Sequence, residues 1–111
     1  MRKIVLASHH LLADGLKDTI QYLMPTLTDI QSVSAYMDNI PFEKKLKEAL
    51  GEINEGDEYI IFTDMLGGSV NQEAVKYLQY PNVYVITGMN LPIVLSAVSY
   101  THLRAHETTL H

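Results

Sequence analysis

What this chain lacks already excludes several kinds of chemistry. It has no cysteine and no tryptophan, so a disulfide framework and a thiolate metal site are both ruled out. The chain has only 8 lysine and arginine residues but 13 acidic ones, and the basic residues form no long run. We therefore expect neither a nucleic-acid partner nor binding to anionic membranes.

Long apolar segments are missing as well. The apolar runs are too short to span a bilayer, and the one near the amino terminus stops at Ala7, too early for a secretory signal peptide. A length of 111 residues with 47% hydrophobic residues suits one compact domain. These features predict a soluble cytoplasmic protein.

Apolar runs alternate with amphipathic segments, a pattern that predicts an α/β fold. The predicted strands are residues 4–7, 30–36, 59–63 and 83–87; the predicted helices are 11–24, 41–50, 69–78 and one that opens at Asn90-Leu91-Pro92. We expect the first helix to bury a stripe formed by Leu12, Leu16, Ile20 and Leu23. The connections are too long for hairpins, which favours a parallel, doubly wound sheet of order 2-1-3-4 with helices on both faces.

A histidine and an aspartate follow neighbouring strands of this predicted sheet. His9, within Ser8-His9-His10, follows the first strand, and Asp64 follows the third. In the order 2-1-3-4, both side chains project from the same edge, close enough for a hydrogen bond. A carboxylate that accepts from one imidazole nitrogen fixes the tautomer and leaves the other nitrogen as a nucleophile.

A glycine-rich turn opens the third helix beside this pair. Gly67 and Gly68 let backbone N–H groups approach an anion, and Ser69 can either cap the helix or donate its hydroxyl to an oxyanion. Nucleophile, orienting carboxylate and anion cradle together predict phosphoryl transfer through histidine.

Each of these parts also has an ordinary structural interpretation. His9 could be a polar loop residue, Asp64 could favour a turn, and Gly-Gly-Ser is a common loop-and-cap sequence. Their joint placement at adjacent strand ends favours a functional site. The remaining histidines, His102, His106 and His111, show no matching ligand pattern, so we expect no metal ion and no other cofactor.

Four segments resemble the EIIA domain of mannose-family sugar phosphotransferase systems. They are the strand-Ser-His opening, the Leu-Ala-Asp-Gly-Leu helix start, the Asp-x-x-Gly-Gly-Ser turn and Gly-Met-Asn-Leu-Pro, in order from about Lys3 to Ala97. The resemblance implies that His9 takes a phosphoryl group from HPr and passes it to a IIB domain during sugar uptake, with membrane IIC and IID components as indirect partners. Asp64 would orient His9, and Gly67, Gly68 and Ser69 would surround the phosphoryl group; the rim would comprise Ser8, His10 and Asn90.

The chain departs from the family pattern at two places. His10 stands where such domains usually carry glycine, and a positive φ there would carry a penalty. Family members also continue past the Asn-Leu-Pro helix with a strand that is often exchanged in a homodimer. Residues 98–111 resemble translated adapter sequence instead, so we expect a truncated EIIA-like domain at 1–97, a non-native tail at 98–111 and a dimer that depends on the missing part.

Two other functions stay open. One is the related phosphotransfer subunit that serves dihydroxyacetone kinase, although the Gly-Gly-Ser turn favours the sugar system. The other is a non-enzymatic regulatory module that senses an anion in the same pocket. A flavodoxin-type nucleotide site is disfavoured because no glycine-rich loop follows the first strand.

Overall fold

The computed structural model describes residues 2–98, in which strands and helices alternate. The strands are β1 (Arg2–His9), β2 (Ile30–Ala35), β3 (Glu58–Thr63) and β4 (Val83–Thr87). The helices are α1 (Leu12–Leu23), α2 (Phe42–Leu50), α3 (Ser69–Val75), which a 3-10 turn continues over Lys76–Gln79, and α4 (Leu91–Val98).

The four strands form one sheet of order β2-β1-β3-β4, and every neighbouring pair is parallel. The predicted fold class and strand order are thus confirmed. Strand β1 lies between β2 and β3, in a register that pairs His9 with Ala35 and Ala7 with Thr63. The carboxyl ends of these three strands therefore meet at one edge of the sheet, where open α/β sheets bind ligands.

Two apolar layers cover the two faces of the sheet. Because both faces are buried, the strands are continuous apolar runs in the sequence. Ile4 and Leu6 of β1 pack on the α1 and α4 side, whereas Val5 and Ala7 pack on the α2 and α3 side. The helices contribute Ala13, Ile20, Val94 and Ala97 to the first layer and Leu46, Leu50, Val70 and Ala74 to the second. A sheet buried on both faces holds the strand ends rigidly in place.

The structure corrects the predicted stripe of the first helix. Leu12 and Leu23 are each 51% exposed, while Ala13 and Ile20 are fully buried. The buried line runs through Ala13, Leu16 and Ile20, and at 3.6 residues per turn Leu12 and Leu23 lie on its flank.

Several predicted boundaries also change, two of the elements by more than one residue. Strand β1 is longer than residues 4–7, because its charged first residues find partners: Arg2 Nε donates to Glu58 at 2.9 Å and Lys3 Nζ to the Leu50 carbonyl at 3.3 Å. The regular part of the third helix ends at Val75 rather than at residue 78. Apart from Val98, the predicted tail and its three histidines lie outside the described residues.

Candidate functional site

A strained turn follows β1 and holds His9 at the strand end. His10 has φ +58°, so the position has the left-handed backbone that glycine adopts most readily. Its N–H donates to the Ala35 carbonyl at 3.0 Å. Ser8 is fully buried beneath the turn, where its hydroxyl donates to the His10 carbonyl at 3.1 Å and accepts from the Ala13 N–H at 2.8 Å. Ser8 therefore links the turn to α1, while His10 is exposed at the surface.

The turn yields a stability prediction. A left-handed backbone costs a residue with a Cβ about 1–2 kcal/mol of folding free energy. Glycine avoids this cost, but its unfolded chain has more conformational freedom, which offsets about 0.5–1 kcal/mol of the gain. We expect His10→Gly to be more stable than His10→Ala by about 0.5–1 kcal/mol, measured by urea unfolding. At an ordinary strand position the order is the reverse, so an alanine variant as stable as the glycine variant would contradict the assigned backbone strain.

Asp64 holds the His9 imidazole from the neighbouring strand. Its Oδ2 accepts from both the backbone N–H of His9 and His9 Nδ1, each at 2.8 Å, and its Oδ1 accepts from the Met65 N–H at 3.0 Å. Burial raises the pKa of the Asp64 carboxyl, but the hydrogen bonds and the charge of His9 lower it by more, so the net pKa lies below its ordinary value of 3.8. The carboxylate is therefore ionised at neutral pH and can only accept hydrogen bonds.

This pairing fixes the tautomer of His9. Because the carboxylate only accepts, the neutral imidazole carries its proton on Nδ1 and keeps a lone pair on Nε2. The Asp64 side chain is only 9% exposed, whereas the His9 side chain is 33% exposed. The arrangement supplies an accessible nitrogen nucleophile backed by a shielded negative charge.

The turn before α3 brings backbone close to the imidazole. Gly67 has φ +79°, and a Cβ on Gly68 would lie 3.3 Å from His9 Cε1 and 3.1 Å from Met65 Cγ. Gly68 occupies the N-cap position of α3, so Ser69 is the first residue of the helix and not its cap. The Ser69 hydroxyl instead lies 3.4 Å from His9 Nε2. Of the two roles open to Ser69 from the sequence, the structure places its hydroxyl beside the imidazole.

Sequence reasoning missed two residues of this region. Tyr36, directly after β2, stacks on His9 with ring centroids 5.4 Å apart, and its hydroxyl lies 2.5 Å from Ser69 Oγ. Asn71 is buried in α3 and accepts from the Thr63 hydroxyl at 2.9 Å, which fixes α3 against the end of β3. The order 2-1-3-4 puts the end of β2 beside His9, which is the signal that could have drawn attention to Tyr36.

The remaining predicted rim residue, Asn90, serves the start of α4. Its side-chain oxygen accepts from the Ile93 N–H at 2.9 Å, the arrangement of a helix cap, and the residue is exposed. Its place at the rim of the site stays a prediction. Within residues 2–98, no group of three or more histidine, aspartate or glutamate side chains is arranged to hold a metal ion.

Large apolar side chains lie on the segments that directly follow β1, β2 and β3, at the edge of the sheet that carries His9. All are more than 40% exposed, and we call the set the apolar collar: Leu11, Leu12, Tyr36, Met37, Met65 and Leu66. Exposed apolar side chains gathered at one edge of a fold are typical of a protein docking site. The candidate nucleophile thus lies among side chains suited to contact with another protein.

Comparison with known families gives one match over nearly the whole chain. The family model EIIA-man, described as the PTS system (phosphotransferase system) fructose IIA component, matches residues 3–110. That range continues past Ala97, where the quoted motifs end; the nature of the predicted tail stays a prediction. No curated protein matches significantly. None of the helices within residues 2–98 combines the length and hydropathy that crossing a bilayer requires.

Solved structures of similar fold come from several bacteria. A protein described as a phosphoenolpyruvate-dependent sugar phosphotransferase system permease, from Klebsiella pneumoniae, is 28% identical with a TM-score of 0.80, covering 88% of this chain and 72% of its own. The PTS IIA protein associated with the fucose utilization operon of Streptococcus pneumoniae is 26% identical, with a TM-score of 0.78 and coverages of 96% and 85%. The mannose/sorbose-specific IIA subunit of Enterococcus faecalis, at 23% identity, TM-score 0.72 and coverages of 96% and 83%, shows the fold alone.

Proposed function

The chain belongs to the EIIA-man family of phosphotransferase-system IIA components, and we propose that it is a phosphohistidine carrier that accepts a phosphoryl group from HPr on His9 and passes it to a IIB domain. The observation that carries the proposal is the pair of 2.8 Å contacts from His9 to one oxygen of Asp64. These contacts leave Nε2 as the nucleophilic nitrogen of a fixed imidazole.

The chemistry needs only this chain and its two partners. The lone pair of His9 Nε2 attacks the phosphorus of the donor phosphohistidine, the donor P–N bond breaks, and its electron pair returns to the donor imidazole. The proton on Nδ1 stays hydrogen-bonded to Asp64, which balances the positive charge of the phosphorylated ring. The same steps in the opposite direction deliver the phosphoryl group to IIB.

The start of α3 supports binding of the phosphoryl oxygens. The first backbone bond of the helix runs from the Gln72 N–H to the Gly68 carbonyl at 2.9 Å, so the amides before it lie ahead of the helical bonding pattern. Such amides favour an anion. In this proposal Gly67 and Gly68 bring the backbone to the phosphoryl group, and the Ser69 hydroxyl donates to one of its oxygens.

The apolar collar supports the proposal that the donor and the acceptor of the phosphoryl group are proteins. Protein-to-protein transfer requires two surfaces to dock around a shared phosphorus, and exposed methionine and tyrosine side chains are typical of such contacts. We propose that HPr and IIB use this collar in turn, in the cytoplasm, and that IIB connects the protein indirectly to the membrane IIC and IID components.

The test is phosphorylation by phosphoenolpyruvate, enzyme I and HPr, followed by intact mass spectrometry. We expect the wild type and His10→Ala to gain one acid-labile phosphoryl group and His9→Ala to gain none. Labelled protein should lose the group on addition of IIB, and not on addition of a dihydroxyacetone kinase subunit. A wild type that stays unlabelled, or a His9→Ala variant that labels equally, would overturn the proposal.

A further inference from the structure

We propose that Tyr36 is a positioning residue for His9, acting through Ser69; the inference rests on the proposed function and deepens it. The Tyr36 ring stacks on the His9 imidazole at 5.4 Å with an interplanar angle of 29°. Its hydroxyl lies 2.5 Å from Ser69 Oγ, which lies 3.4 Å from His9 Nε2. One side chain thus contacts both the nucleophilic ring and the hydroxyl beside its reactive nitrogen.

Asp64 determines the direction of each hydrogen bond in the series from Tyr36 through Ser69 to His9. In the neutral imidazole, whose proton on Nδ1 is donated to Asp64, His9 Nε2 has a lone pair and can only accept. Ser69 has a single hydroxyl proton, and donation to Nε2 uses it. The short contact between Ser69 and Tyr36 must then have Tyr36 as donor. The order is Tyr36 O–H to Ser69 Oγ, and Ser69 O–H to His9 Nε2.

The backbone of Tyr36 indicates that this placement has a function. Tyr36 has φ +65°, an unfavourable conformation for an aromatic residue. Its side chain is 63% exposed, so burial does little to offset the strain. Strained residues of this kind concentrate at functional sites. Tyr36 thus combines a left-handed backbone with a ring that stacks on His9.

During transfer, Tyr36 would keep the Ser69 hydroxyl oriented so that it can donate a hydrogen bond to the phosphoryl group on His9. When Nε2 bonds to phosphorus its lone pair is used, and the Ser69 proton turns to a phosphoryl oxygen. Donation from Tyr36 occupies the Ser69 oxygen throughout, so the proton of Ser69 stays directed at the site. No proton is transferred between residues in this step. The ring of Tyr36 also covers one face of the imidazole and restricts its rotation.

The experiment compares Tyr36→Phe, Ser69→Ala and the double variant. We expect each single variant to lower kcat/KM for phosphoryl acceptance from HPr by about 10-fold. The double variant should be little worse than either single one, since both remove the same chain of hydrogen bonds. In the unphosphorylated protein, the 15N chemical shift of His9 Nε2 should move in the same direction in both single variants. Tyr22→Phe is the matched control, because Tyr22 is 84% exposed in the last turn of α1.

The outcomes separate this inference from the proposed function. Normal wild-type transfer with an unchanged rate and an unchanged Nε2 shift in Tyr36→Phe overturns the role of Tyr36 alone, as does a double variant whose losses simply multiply. A wild type that never accepts a phosphoryl group overturns the proposed function and the transfer role with it. In that case an unchanged Nε2 shift in Tyr36→Phe would also reject the hydrogen-bond chain itself.

Discussion

Asp64→Asn is expected to lower the rate of phosphoryl acceptance by about 10²–10⁴-fold while the protein stays folded. Both carboxylate oxygens of Asp64 accept from N–H groups: Oδ1 from Met65, and Oδ2 from the backbone and ring of His9. An asparagine must turn its NH₂ group toward one of these two sets of donors. Either the Met65 N–H loses its acceptor or the imidazole loses the partner that holds its proton on Nδ1.

Loss of charge adds to this effect. The phosphorylated imidazole is positively charged, and the amide cannot balance that charge as the shielded carboxylate does. The measurement is single-turnover transfer from phosphorylated HPr, with thermal unfolding to confirm the fold. Asp38→Asn is the matched control, because Asp38 is an exposed carboxylate that pairs with Lys45 at 2.9 Å. An Asp64→Asn variant as fast as this control would contradict the role of Asp64.

Gly68→Val is the second change from which we expect a large loss, about 10²-fold in the transfer rate. The backbone at Gly68, with φ −75° and ψ 166°, is ordinary extended backbone, so valine can adopt it without strain. Its Cβ, however, would lie 3.3 Å from His9 Cε1. Met65 can move because it is 52% exposed, but Asp64 holds the imidazole. The valine methyl groups would therefore crowd the carbon next to Nε2.

Gly67→Ala, one residue earlier, is expected to lower the stability of the protein without slowing the transfer. A Cβ there meets nothing within 4 Å, but φ is +79°, so the change should cost about 1–2 kcal/mol of unfolding free energy and leave transfer by the folded protein intact. Urea unfolding and single-turnover transfer measured on both variants check the contrast. If Gly68→Val transferred at the wild-type rate, the close approach of backbone to imidazole would have no part in the function.

The sheet and the His9–Asp64 pair could be predicted because they depend on patterns that a sequence displays. Apolar runs alternate with helical periodicity, and the resulting strand order puts the residues after β1 and β3 at one edge. The sequence also showed that a positive φ at position 10 would be unfavourable for histidine, and the structure has φ +58° there. The sheet and the pair follow from local composition and topology, whereas the expectation at position 10 came from the family resemblance.

What the sequence did not reveal depends on the direction of individual side chains. Tyr36 stacks on His9 and has φ +65°, and periodicity carries no information about a single left-handed residue. Ser8 is buried under a turn that its own hydroxyl stabilises, which the motif did not show. The choice between the two roles of Ser69 depended on Gly68 occupying the N-cap position, a difference of one residue in the start of α3.

The central claim is that His9 carries the phosphoryl group on Nε2, and the phosphorylated protein tests it most directly. The measurement is NMR of 15N-labelled protein at alkaline pH, with detection of the coupling between phosphorus and the imidazole nitrogens. The account predicts phosphorus bonded to Nε2 of His9, with Nδ1 facing Asp64. Phosphorus on Nδ1 of His9, or on either nitrogen of His10, would contradict it.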